Sequence, residues 1–229
     1  MSQSIRFAWT GLYKLGGAAA LLMVLLFVVQ IVVYIVWPPP RTAIAYFNVF
    51  RSNKLLGLLD FDLLLVVDQA LQVPICLALY IALRRVNESV MAVATALSLV
   101  SIAAFIAARP ALEMLHLSGQ YAAAATDAER AGLVAAGQAM LAVFNGTAFH
   151  TSYVLGSIAM VMVASVMLRG DIFSRVAAYV GIATGVIGFG LYVPGIGIVL
   201  AIVSALGLQI WNILIARRFF QLAVPDRSQ

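Results

Sequence analysis

The chain has 229 residues, 64% of them hydrophobic and 10% charged, with a mean hydropathy of +1.04. A water-soluble domain of this length needs far more charge to cover its surface, so the composition points to an all-α, polytopic membrane protein dissolved in the lipid bilayer. The formal net charge of +5 reads as basic residues flanking spans and setting their orientation, not as a nucleic-acid footprint.

A helix needs about 20 apolar residues to cross the hydrocarbon core. Six stretches meet that length: 10–37, 60–83, 88–109, 146–168, 174–193 and 196–216. Strands are excluded as spans, because an open sheet edge cannot be satisfied in lipid and the alternation of a barrel is absent. The first run follows Arg6 and Lys14, like a signal peptide. Leu15–Trp37 is longer than the roughly 7–15 residues of a signal h-region, and no A-x-A site follows, so it reads as a retained span. "PPPR" at 38–41 stops it, since proline removes backbone donors and fixes φ. Residues 42–57 then mix Ile44, Phe47, Val49, Phe50 and Leu55 with Arg51, Asn53 and Lys54, which predicts an amphipathic segment lying at the outer interface.

The second span opens with "LLDFDLLLVVDQALQVP" at 58–74. Asp60 and Asp62 fall at the outer boundary, where acids suit a helix N-terminus. Asp68 lies six residues inside Asp62, roughly 9 Å at 1.5 Å per residue, and shares a stripe with Gln72 at i,i+4. Pro74 frees a carbonyl one turn further on. An ionised aspartate costs about 2.5–3.5 kcal/mol at a helix centre, so Asp68 is expected to face protein or water.

Arg109 closes the third span, with Glu113 and His116 expected above it on the same helical face. Residues 110–145 are rich in helix formers, and Thr126 with Glu129 fits a capping box. An outer helical hairpin turning near 119–126 is therefore predicted, forming a helical cap with 42–57. The fourth span carries His150 and Tyr153 in its first two turns. Gly181 and Gly185 in the fifth allow a close neighbour, either inside the bundle or at a homo- or hetero-oligomer seam. Gln209 and Asn212 are the polar residues of the sixth.

At a common depth in the outer half, Gln30, Asp68, Gln72, Arg109, His150 and Tyr153 are expected to line a polar pocket. It would bind or pass a small solute, a proton or a lipid, with Asp68 as the ionisable element. A second reading is a metal-dependent intramembrane hydrolase using His116, His150, Asp62 and Glu113. Those residues lack HExxH, HxxH or CxxC spacing, so no metal is expected. No GxSxG, P-loop or GxGxxG motif opens a catalytic unit, and no cofactor is expected. A third reading is a subunit or regulator of a membrane complex. The lone Cys76 precludes an intramolecular disulfide.

With the N-terminus inside, nine basic residues, Arg6, Arg84, Arg85, Arg169 and Arg227 among them, face the cytoplasm and five, including Arg109 and Arg130, face out. This favours cytoplasmic N- and C-termini.

The phrases "GTAFH", "MLRGDIFS", "YVP" and "ARRFFQL", within residues 136–222, resemble bacterial multi-span membrane proteins grouped as a domain of unknown function (number 4386). The resemblance implies membrane class and this topology, and the expected location is the bacterial inner membrane. It draws notice to His150, Arg169, Tyr192 and Arg217 as motif members without implying a reaction.

Overall fold

The computed structural model describes residues 3–224, with side chains from Trp9 onward. Arg227 and the side chain of Arg6, both used above for orientation, lie outside the described residues. Helices carry almost all of the described chain, and no strand occurs among the described residues.

Helix α1 (Gln3–Val36) runs unbroken until the prolines at 38–40 remove the donors that would continue it. Helix α2 (Ala43–Ser52) is capped by Thr42, whose Oγ1 accepts from the Ala45 N–H at 3.3 Å. Helix α3 (Lys54–Asp60) is capped by Asn53, whose Oδ1 accepts from the Leu56 N–H at 3.0 Å. Each cap satisfies an N–H that has no partner inside its helix. Helix α4 (Leu63–Leu83) carries Pro74 in its interior. Helix α5 (Glu88–Ala107) stops before Arg109, and Pro110 caps α6 (Ala111–Ala123). Helix α7 (Asp127–Phe144) opens on the complete Thr126–Glu129 capping box. Helices α8 (Thr147–Arg169), α9 (Arg175–Gly188) and α10 (Gly197–Ala223) follow, with a 3₁₀ turn over Phe189–Tyr192 between the last two.

Six helical runs are long and apolar enough to cross a membrane: Trp9–Val36, Leu63–Leu83, Glu88–Ala123, Asp127–Arg169, Arg175–Tyr192 and Gly197–Ala223. The protein is an integral membrane protein of all-α class. The second span begins at Leu63 and not at 60, so Asp60 and Asp62 precede it. The third and fourth runs, of 36 and 43 residues, would measure about 54 and 65 Å at 1.5 Å per residue, well beyond a hydrocarbon core of about 30 Å. That excess is the hairpin α6–α7, which turns at 124–126. Along α1, Leu25, Val28, Val32 and Ile35 are exposed, an apolar surface that only lipid can solvate without cost.

The chain divides into two compact units. One holds residues up to Leu25, Ala70–Ala103 and Ser152 onward. Its core is apolar and tightly filled, with Met23, Ile75, Leu83, Met91, Met167, Ile215 and Phe219 fully buried. The glycines of α9 are spent here. A Cβ at Gly185 would sit 2.7 Å from Val161 Cγ2 and 3.0 Å from the Ser157 carbonyl, and one at Gly181 would sit 2.8 Å from Ala164 Cβ. Helix α8 thus approaches closer than a side chain on α9 would permit. Between helices, the Ser101 hydroxyl donates to the Ser152 carbonyl at 2.7 Å. Cys76 is buried on α4 and accepts from Gln72 Nε2 at 3.9 Å.

The other unit holds Leu26–Gln69 and Ala104–Thr151. Its core is aromatic: Tyr46, Phe47, Phe50 and Phe61 are buried with Met114. The segment at 42–57 buries this aromatic face against α6 and α7. A Cβ at Gly137 of α7 would fall 2.8 Å from the Phe47 ring, and the Ser118 hydroxyl of α6 donates to the Phe47 carbonyl at 3.0 Å. Ile44 and Leu55 remain exposed. Five side chains of this segment are aromatic or leucine, and the aromatic ones are large enough to build a second core once α6 and α7 stand over them.

Candidate functional site

The polar chemistry of the second unit is built around Arg109. Helix α5 ends because Pro110 cannot continue it, and the chain turns with the Arg109 N–H bonded to the Ile106 carbonyl at 3.1 Å. The turn throws the Arg109 side chain inward, where it is 4% exposed. Its Nε lies 2.7 Å from Asp62 Oδ2, and its Nη1 donates to the Phe144 carbonyl at 3.1 Å. Phe144 is the last residue of α7, so its carbonyl has no partner inside the helix, and a cation at that end also suits the helix dipole. Three rings surround the guanidinium: Phe105, Phe144 and Phe149 have centroids 4.1, 4.3 and 5.1 Å from Cζ. Arginine suits this place because its planar, weakly hydrated cation can stack on rings while its edge pairs with a carboxylate.

Asp62 is set up by its backbone. It is the one non-glycine residue with positive φ among the described residues, at 62°. Aspartate is among the few residues that enter this region readily. Its N–H bonds to the Leu59 carbonyl and its own carbonyl accepts from Val66, so one residue closes α3 and opens α4. The carboxylate is then free to serve tertiary partners: Oδ2 meets Arg109 and Oδ1 accepts from the Tyr34 hydroxyl of α1. Burial pushes this carboxyl up to about 6, against the opposing pull of the Arg109 charge and hydrogen bond. The pair lies out of water and ties α1, α5, α7 and α8 to the turn that opens α4.

Beside this pair stand further buried groups that lack partners. Gln30, 1% exposed, donates its Nε2 to the Leu59 carbonyl at 3.1 Å, while its Oε1 has no partner. Asp60 and Asp68 are 2% and 5% exposed, and Oδ1 of each lacks a partner. Burial raises the Asp60 carboxyl to about 6 and the Tyr46 phenol to about 12, the Asp60 charge adding to the latter. Gln30 and Asp68 lie about one and two turns along their helices from the Tyr34–Asp62 contact. These three orphaned atoms are acceptors; Arg109 Nε, a donor, meets Asp62 Oδ2 at 2.7 Å as an ion pair outside hydrogen-bond geometry.

The residues expected to line one pocket do not all belong to one unit. Gln30, Asp68, Arg109 and His150 belong to this unit, whereas Gln72 and Tyr153 belong to the other. His150 is exposed and lies edge-on to Phe149 at 5.3 Å between ring centroids. Gln72 is half-buried and engaged with Cys76. Glu113 and His116, expected on the Arg109 face, are exposed while Arg109 is buried. Pro110 resets the helical phase between them, so i+4 and i+7 no longer describe one face. Asp60 and Asp62, expected as interface residues, are both buried. Among the described residues, no three His, Cys, Asp or Glu side chains come together as metal ligands; His116, His150, Asp62 and Glu113 form no such group. Sequence reasoning missed Tyr34 as the Asp62 partner and the three-ring cage. Phe105, four residues before Arg109, was the one part of the cage with a local signature.

A family model described as "Domain of unknown function (DUF4386)" matches residues 15–217. No curated protein matches the chain, and no solved structure matches it.

Proposed function

The chain belongs to the DUF4386 family, and we propose that it binds or passes a proton or a small cationic solute at Gln30, Asp60 and Asp68. The observation that carries this reading is the sign of the orphaned atoms. Three deeply buried oxygens, all acceptors, lack donors, beside an Asp62 carboxylate whose own two oxygens are met by Arg109 and Tyr34. Buried polar groups are normally paired, so the missing partner is a donor or a cation. A proton on Asp68, or an ammonium-like solute or alkali ion shared with Gln30, fits the requirement; an anion or a neutral acceptor does not. The Asp62–Arg109 pair would serve as the fixed wall.

The count of basic residues supports cytoplasmic N- and C-termini, which would open this unit toward the outer side of a bacterial inner membrane. Pairing the purified protein in detergent with protons, sodium and ammonium by calorimetry tests the reading. The wild-type protein should bind one of these in a pH-dependent manner, and Asp68→Asn should lose that dependence. Unchanged binding together with unchanged stability in Asp68→Asn would overturn it.

A further inference from the structure

In the unit that does not hold Arg109, the end where α4, α8 and α10 finish is basic. The turns over 84–87 and 170–174 join α4 to α5 and α8 to α9. They lie against each other: a Cβ at Gly170 would stand 2.8 Å from Val86 Cγ2. Helix α10 closes on the second turn, where Arg218 Nε donates to the Ile172 carbonyl. Beside that bond the Phe219 ring lies edge-on to Phe173, at 5.9 Å between centroids. These contacts gather Arg84, Arg85, Arg169, Arg175, Arg217 and Arg218 at one end, with only Glu88 and Asp171 as carboxylates on the same turns and helix ends. Arg85, Arg169, Arg175 and Arg217 are exposed, and none of them enters an ion pair among the described residues.

The faces that carry these cations continue as apolar stripes. On α9, Arg175 is in line with Tyr179 and Val186; on α10, Arg217 is in line with Ile213, Ile210 and Leu206. All five apolar residues are exposed, and along a membrane-spanning helix such a stripe is solvated by acyl chains. A molecule that meets a stripe and its arginine together carries hydrocarbon at one end and negative charge at the other. An acidic soluble protein would match the charge and leave the stripes unmatched, and a lipid without net charge would do the reverse. Every cation of the set is arginine, whose planar fork takes a phosphate through two parallel bonds. We infer that this basic end is a docking surface for anionic phospholipid, with headgroup phosphates at Arg169, Arg175 and Arg217 and acyl chains along α9 and α10. The surface does not rest on the cation reading above, since it shares no residue with it.

Native mass spectrometry of the purified full chain, titrated with dioleoylphosphatidylglycerol or dioleoylphosphatidylcholine, gives the affinity of the first bound lipid. The anionic lipid should bind at least about tenfold more tightly, since each basic residue at a membrane surface is worth about fivefold. Arg169→Gln, Arg175→Gln and Arg217→Gln combined should remove most of that preference. Arg41→Gln, Arg51→Gln and Lys54→Gln combined lower the net charge equally in the other unit and should leave it intact. Should the first triple variant not fold, its three single variants should each weaken phosphatidylglycerol binding a few-fold. Glycerol phosphate at millimolar concentration should not displace the lipid; displacement would assign the arginines to a free phosphate ester and overturn lipid docking. Equal affinity for the two lipids, an equal loss in the two triple variants, or three unaffected single variants would also overturn it.

Discussion

Replacing Arg109 tests whether the caged ion pair holds the second unit together. Arg109→Met removes the cation while keeping much of the stem, and leaves Asp62 buried beside Tyr34. Breaking a buried pair from one side costs about 3–5 kcal/mol. The charge-assisted bond to the Phe144 carbonyl is worth about 1.5–3 kcal/mol, and each ring about 0.5–2 kcal/mol. One side chain makes all of these contacts, so they do not add. The expected loss is about 3–5 kcal/mol. Arg109→Lys keeps the charge but loses the stacked plane and the fork, and should cost about 1–3 kcal/mol. Asp62→Asn is the matched partner variant, because asparagine also tolerates the left-handed backbone at 62. The double variant, Asp62→Asn with Arg109→Met, should be more stable than the sum of the singles implies, by at least about 1.5 kcal/mol. Reversible unfolding in mixed micelles, followed by far-ultraviolet circular dichroism against SDS mole fraction, gives all four free energies. Single losses below about 1 kcal/mol, or strict additivity, would refute the reasoning.

Glycine positions separate packing from propensity in the same assay. Gly185→Ala places a methyl against Val161 and the Ser157 carbonyl and should cost about 1–3 kcal/mol. Gly132→Ala, exposed in α7 with nothing within 4 Å of the new methyl, should stabilise by about 1 kcal/mol; equal effects at the two sites would sink the packing account. Asp60 supplies the pH dependence. Burial raises it from the ordinary 3.8 to about 6, so the folded state takes up a proton. Its contribution is fully present below pH 3.8 and is lost as pH rises through about 6. Wild-type stability should fall by up to about 3 kcal/mol more than that of Asp60→Asn over this window, and identical pH slopes would contradict the assignment.

Much of the fold was legible because its rules are local. Twenty apolar residues make a span wherever they occur, PPPR ends one, and Thr126 with Glu129 starts α7 through its own backbone. The site was only half legible. Arg109 as partner to an outer acid followed from charge and depth. That the acid is Asp62 depends on a left-handed residue between two helices, and nothing in "DFD" distinguishes that turn from a helical entry. Likewise Phe144 and Phe149 flank an Asn–Gly break, and their closing on Arg109 is a tertiary event. Glu113 and His116 were misplaced for a local reason that could have been weighed: a proline one residue after Arg109 starts a new helix with a new phase. Which of Gln72, Tyr153 and His150 share a face with Asp68 depends on azimuth, which periodicity leaves undetermined when a helix is apolar on every side.

Cys76, buried on α4 with Gln72 as its neighbour, has a practical consequence for chemistry performed on the intact membrane. The chain's only thiol is shielded from a water-soluble maleimide, so the native protein supplies an unreactive background without mutation. A cysteine introduced at Ala125, or at Arg85 before α5, both exposed, would be the sole thiol such a reagent can reach. Labelling of sealed vesicles from either side then reports the sidedness of each turn in a protein whose helices are otherwise untouched.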